Sequence, residues 1–406
     1  MGGQRRHIGV AERRARLAVG QRLAGAARAD TPEEVAASLV ALHGTDPASV
    51  YLAVGARLTD AAGAGTVSAM ERALYEDRTL IRMHGMRHTV FVFPTGLVPV
   101  VHASTGLAVA ARARAALIGD MALAGAPDAE WLAEVETSAL AALARYGEAT
   151  AAELARAEPR LRERFTYAAG KSYEGVHTVS SRLLRVLGVE GRVVRGRPLG
   201  SWTSTQFRWA VAPPCAELPV AEAQAELIRR WLAACGPATE ADLRWWTGWK
   251  AGDVRRALGA VEAVTVSVDE GVAYVLADAV EPVAAVEPWA ALLPGLDPTA
   301  MGWRERDWYC PPGLRPTLFD RSGNIGPTVW WNGRIVGGWA QRPDGEIAWR
   351  LLDSGDATGG DADTEGSGAE ALDAIGAEAD RLRAWLGPTR VTPRFRTPLE
   401  RELASA

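Results

Sequence analysis

Two polar side chains, His43 and Thr45, sit two residues apart in the stretch Leu42-His43-Gly44-Thr45-Asp46-Pro47. An imidazole that is neutral near pH 7 can take a proton from water. A threonine hydroxyl can donate to, or accept from, that same water. Asp46 adds a carboxylate able to face developing positive charge, and it also reads as a helix N-cap ahead of Pro47. His43, Thr45 and Asp46 are thus the candidate catalytic residues. Each has a structural reading as well: His43 can pack against Leu39 and bond a backbone carbonyl, and Thr45 can cap the next helix. No metal site is expected, because Cys215, Cys235 and Cys310 are scattered without a CxxC pair and the His residues form no HExxH. No nucleotide loop is present either, so no cofactor is expected.

The elements around this stretch can be read from spacing. Thr31-Pro32-Glu33-Glu34 opens a helix with an N-cap, a Pro at the first position and a capping box. Val35, Leu39, Leu42 and His43 then fall on one stripe, which places His43 on the buried face of that helix, and Gly44 suits a left-handed end. Val50, Val54 and Leu58 line the following helix, and a third is expected over Ser68 to Glu76. Arg82 to Phe93 reads as a strand or hairpin stopped by Pro94. A helical stretch from about Leu97 to Leu117 follows.

An internal repeat organises the middle of the chain. Gly147-Glu148-Ala149-Thr150-Ala151-Ala152-Glu153-Leu154 matches Gly236-Pro237-Ala238-Thr239-Glu240-Ala241-Asp242-Leu243. Each copy follows an amphipathic helix, starts a second helix at a Thr N-cap, and leads to a third helix and two strand-like segments. Helix, turn, helix, helix, hairpin is the order of a winged helix, and the N-terminal block makes a third copy. From about Glu287 the chain turns to short β segments, with Asn332-Gly333 as a type I′ hairpin signal. The expected class is α+β: winged helices over 1–130, 131–213 and 214–284, then a small β-barrel domain over 285–406. That last domain carries an acidic loop over 353–370 and a C-terminal helix.

The 406 residues carry a net charge of −4, with a hydrophobic share of 48%, as in a soluble globular protein. No apolar run reaches the roughly 18 residues of a membrane span, and the Arg-rich N-terminus lacks a signal-peptide core, so a cytoplasmic location is expected. The mean charge hides segregation. Pro159 to Ala210 holds ten Lys or Arg against three acids, whereas 353–380 holds nine acids and no Lys or Arg. A basic block of that kind is built for an anionic partner. Lys171, Arg182, Arg185, Arg192, Arg195 and Arg197 lie on or beside the third helix and wing of the second module, where phosphates are usually held. Arg87 sits in the first wing.

The chain resembles the AlkZ/YcaQ-like DNA glycosylases. The likeness runs through Leu42 to Leu52, the Arg87-His88-Thr89 segment, the tandem wings, Asn332 to Gly337 and Pro393-Arg394-Phe395. It implies three tandem winged helices and a β-barrel arranged as a C-shape around double-stranded DNA; a monomer is expected. It further implies excision of alkylated purines and, in some members, unhooking of interstrand crosslinks. The family's catalytic motif is Gln-x-Gln or Gln-x-Asp immediately before Asp-Pro; here His43 and Thr45 hold those positions, and Phe91 stands where a His is usual. Arg321-Ser322-Gly323-Asn324 resembles a hairpin that the family pushes towards the minor groove, which makes Arg321 and Asn324 further DNA-contact candidates. An alternative is a winged-helix protein that binds DNA without catalysis.

Overall fold

A computed structural model describes residues 5–405, apart from 60, 61, 126, 169, 172, 173 and 354–367. Most of the expected acidic loop therefore lies outside the described residues. One arrangement recurs three times. In the first copy the helix Pro32–Ser38 leads to a short strand, Leu42–His43. The helices Pro47–Gly55 and Gly63–Glu71 follow, then the hairpin strands Leu80–His84 and Val90–Pro94. The second hairpin strand lies between the first and the short strand. The same order holds for Glu148–Ala149 with Val193–Pro198 and Phe207–Val211, and for Ala238–Thr239 with Val264–Val268 and Gly271–Val275.

Local chemistry explains why the two later copies start alike. Thr150 Oγ1 accepts from the Glu153 backbone N–H at 3.1 Å while Glu153 accepts from the Thr150 N–H at 2.8 Å. Thr239 and Asp242 repeat that exchange at 3.1 and 2.9 Å. A cap of this kind stabilises a helix by roughly 0.5–2 kcal/mol and fixes where it begins.

The structure corrects the expectation for His43. The first helix ends at Ser38, Val40 takes a left-handed φ of 64°, and the chain continues as a strand. Leu42 then pairs with Val92 and His43 with Phe91. Strand alternation sends Leu42 into the core, fully buried, and His43 to the other face. Gly44 is not left-handed as expected; a Cβ there would sit 3.3 Å from the Phe91 carbonyl carbon. The second copy also departs from expectation. A hairpin, Arg164–Tyr167 with Gly175–Thr178, is inserted before the third helix, which begins at Val179 behind the N-cap Thr178.

No closed barrel forms at the C-terminus. Ala290–Leu293, Thr328–Trp331, Arg334–Gln341 and Ile347–Leu351 make an open antiparallel sheet in chain order, and its two outer strands do not pair. Both faces are covered instead. Trp339 packs in one cluster with Leu382 and Trp385 of the helix Gly368–Leu386, while a Cβ at neighbouring Gly338 would strike Leu399 of the helix Pro398–Ser405. With helices on both sides, closure is not needed to bury the sheet. Asn332 and Gly333 both take positive φ, as the I′ signal predicts. The helical stretch Thr95–Leu123 is long and apolar enough to cross a membrane by length and composition, but half of its apolar window is buried within the fold.

The first copy is locked to the C-terminal sheet by a fully buried ion pair, Arg57 with Asp297, at 2.7 Å. Arg57 also donates to the Gln21 and Ala53 carbonyls and to Thr299 Oγ1. Removing one partner of such a pair leaves an uncompensated buried charge, which costs about 3–5 kcal/mol. Asp297→Ala is therefore expected to lower unfolding stability by about that amount in urea titration. Glu402→Ala, which breaks the exposed Arg350–Glu402 contact, should change it by less than about 1 kcal/mol. Equal losses in the two variants would refute the assignment.

Candidate functional site

From its strand, His43 faces a cleft of about 450 Å³. Phe91 fixes the ring from beside, edge to face at 5.2 Å. His43 Nδ1 is buried and has no hydrogen-bond partner. Burial first, and then the charge of Arg87, push the imidazole down from 6.5 to about 4, so the ring is neutral at pH 7. A neutral ring keeps one nitrogen lone pair able to accept a proton.

Arg87 enters the same cleft from the tip of the first hairpin. The turn is closed by Gly85 N–H to Thr89 O at 2.8 Å and Thr89 N–H to Met86 O at 3.0 Å. Arg87 and His88, its two central residues, both have positive φ, 53° and 62°. Such a turn normally takes Asn-Gly; a residue carrying a Cβ in that region costs roughly 1–2 kcal/mol. Here the strain delivers the Arg87 guanidinium to a point 4.3 Å over the Trp245 ring. Arg306 lies 5.0 Å from the centroid of the same indole. Burial, and then Arg306, hold the Arg87 guanidinium below its ordinary value.

The opposite wall is the hairpin that runs from Phe319 to Ile325. The Asp320 carboxylate accepts from the backbone N–H groups of Ser322 and Asn324 at 2.8 and 2.9 Å, and from Asn324 Nδ2 at 2.8 Å. This ties the tip down and sets Ser322, Gly323 and Asn324 against the cleft, with Arg321 exposed beside it. Arg315, also on the wall, pairs with Asp307. None of the residues lining the cleft is acidic.

The structure thus brings three predicted residues, His43, Arg87 and Asn324, to one cavity. Thr45 does not line it. Half-buried at the corner, Thr45 accepts from Arg394 Nη1 at 3.3 Å through its backbone carbonyl. Asp46 is buried, and both of its oxygens are used: one caps the helix through Ala48 N–H at 3.1 Å, the other takes Arg394 N–H at 3.0 Å. Its carboxylate thereby fastens the C-terminal tail to the corner.

The predicted basic cluster separates by environment. Arg182 and Arg185 line a second cavity, which shares Arg87 with the first. Arg192 pairs with Glu136, and Arg197 with Glu76 at 2.9 Å. Arg195 lies 4.3 Å over the Phe207 ring and is pushed down to about 10, by burial first and then by Arg82, Arg394 and Arg185. Lys171 is exposed in the turn of the inserted hairpin. Sequence reasoning missed Trp245, Arg306, Arg112 and Arg315. The three arginines fall outside the counted basic block, and Trp245 lies in an aromatic run that reads as core. Among the described residues no three His, Cys, Asp or Glu side chains gather as a metal would require.

The low value for His43 has a consequence for acid stability. Between pH 6.5 and about 4 the unfolded chain takes up a proton that the folded ring refuses, so stability present above pH 6.5 is lost as pH falls. His43→Gln is expected to flatten this part of the curve of Tm against pH, although His84 and His88, also pushed down, to about 3 and 4, keep some slope. Parallel curves for variant and wild type would contradict the placement. Asp46→Ala should cost roughly 0.5–2 kcal/mol as a lost cap, read by urea unfolding.

The sequence matches the family described as DNA glycosylase AlkZ-like over residues 36–385. Among solved structures the chain is similar to the Streptomyces sahachiroi DNA glycosylase AlkZ, with a TM-score of 0.67 and 18% identity. That likeness covers 96% of this chain and 99% of the other. No curated protein gives a match.

Proposed function

The chain belongs to the AlkZ-like DNA glycosylase family, and on that premise we propose that it hydrolyses the N-glycosidic bond of alkylated or bulky-adducted purines in duplex DNA. In this reading the three recurrent copies are winged helices that, with the C-terminal sheet, curve round the duplex. The observation that carries it is the His43 cleft: a neutral imidazole lining a cavity whose charged groups are all cationic. Arg87 and the Ser322–Asn324 tip hold the DNA strand at this cavity.

The chemistry follows from the leaving group. A purine alkylated at N7 or N3 is already cationic, so the C1′–N bond breaks with its electron pair neutralising the ring, and no strong acid is needed. The sugar passes through an oxocarbenium-like state. Water attacks C1′ and gives its proton to His43. The arginines do not stabilise the sugar cation themselves; they hold phosphates whose negative charge does. Thr45 and Asp46 act by fixing the corner from which His43 projects, since one lies off the cleft and the other is spent on backbone N–H groups.

A second reading, DNA binding without catalysis, is favoured by one observation: only one of the two side chains in the family's catalytic positions, His43, reaches the cleft. Release of free base from duplex carrying N7-alkylguanine separates the two. Wild type is expected to release base, and His43→Ala to do so roughly 10²–10⁴-fold more slowly with duplex affinity retained. Equal rates would remove His43 from the mechanism, and no release at large enzyme excess across several lesions would leave the binding-only reading. Affinity should also fall steeply as salt rises, and a flat response would count against DNA as the partner.

A further inference from the structure

Across the Arg87–His88 turn lies the second cavity, of about 420 Å³. That is within the roughly 300–1,000 Å³ of ordinary ligand pockets. Its walls differ in kind. One is an apolar strip of the helix Leu107–Leu123, with Val109, Ala113 and Leu117. The other carries cations: Arg182 and Arg185 from the helix Val179–Val189, with the Arg182 guanidinium 3.1 Å over the Tyr167 ring. Arg112 and Arg87 complete the rim, and no acidic side chain lines it. Arg182 Nε and His88 Nε2 are buried there without hydrogen-bond partners.

Duplex backbone lying on a surface needs cations but no apolar wall. An uncharged small molecule needs the wall but not four guanidinium groups. A nucleotide needs both, since it carries a phosphate beside a sugar and a flat, largely apolar base that packs on aromatic or guanidinium planes. We propose that this cleft is a second nucleotide subsite, taking one nucleotide displaced from the stack next to the damaged one presented to His43. The inference rests on the DNA-binding part of the function proposed above and does not depend on catalysis. Arg87, shared by both cavities, stands where the strand would pass from one to the other.

Fluorescence anisotropy at one fixed salt concentration tests this, with two labelled duplexes of equal length, one fully paired and one carrying a single unpaired nucleotide. Wild type is expected to bind the second at least about fivefold more tightly, because unpaired bases gain from stacking contacts. Ala116→Trp fills the cleft from an exposed helix position without changing charge. It should abolish the preference while paired-duplex affinity stays within about twofold, the electrostatic share being unaltered. Arg182→Gln, at a half-buried position, should weaken the preference too. Equal binding of the two duplexes by wild type overturns the proposal, as does a preference that survives Ala116→Trp. A free deoxynucleoside monophosphate bound in the cleft, with no preference between duplexes, overturns it by showing a small-molecule site. Failure to bind either duplex sinks the DNA reading itself, whereas absence of base release leaves this test untouched.

Discussion

The fully buried Arg57–Asp297 pair ties together the segments that lead to the two walls of the His43 cleft. Arg57 lies just past the C-terminal end of the helix whose N-terminus Asp46 caps. Asp297 stands one residue after Leu296, whose N–H bonds the Ile325 carbonyl at 3.0 Å at the base of the Ser322–Asn324 tip. Two segments of the chain, 240 positions apart, are thereby held in one geometry. Desolvating both charges is expensive, and an apolar pair of similar volume would often be at least as stable. What the ion pair adds is register: the guanidinium fork matches the carboxylate in only a few geometries. The Asp46 carboxylate adds a second tie, holding Arg394 of the tail at the corner.

Around this frame the charges are distributed unevenly. Arg192 and Arg197 are neutralised by Glu136 and Glu76, while Arg87, Arg182 and Arg185 line cavities without a lining acid. A protein gains nothing in stability by concentrating uncompensated cations, and the depressed values at Arg87, Arg185 and Arg195 record the repulsion and desolvation involved. The strained Arg87–His88 turn points the same way. Residues held in costly conformations cluster at functional sites because the surrounding structure over-determines them. A bound polyanion would offset the repulsion among these cations.

Much of this was legible in the residues. The repeated capping boxes located the second and third copies, and Asn332-Gly333 fixed a hairpin, because each is decided by local hydrogen bonds and backbone preference. His43 lies on a strand and not on the buried face of a helix. Its spacing from Val35 and Leu39 fits a helix, yet pairing of Leu42 and His43 with Val92 and Phe91, about 50 positions on, overrides it. Arg306 and Trp245 were invisible for the same reason. Their place in the cleft comes from Arg87 reaching the Trp245 ring that Arg306 also approaches, and no local pattern encodes that meeting. Barrel closure failed as an expectation because helices from beyond the sheet cover both of its faces, which strand periodicity alone does not announce.

In the proposed reaction an oxocarbenium-like sugar forms at the His43 cleft, with held phosphates facing its charge and His43 taking the proton of the attacking water. The most direct measurement is the affinity for a duplex carrying a cationic 1-aza-sugar mimic of that state, compared with an otherwise identical abasic-analogue duplex. Transition-state mimics bind enzymes roughly 10²-fold or more tightly than ground-state ligands. Wild type is expected to show a preference of that order, and His43→Ala to lose it. Equal affinity of wild type for the two duplexes would contradict it.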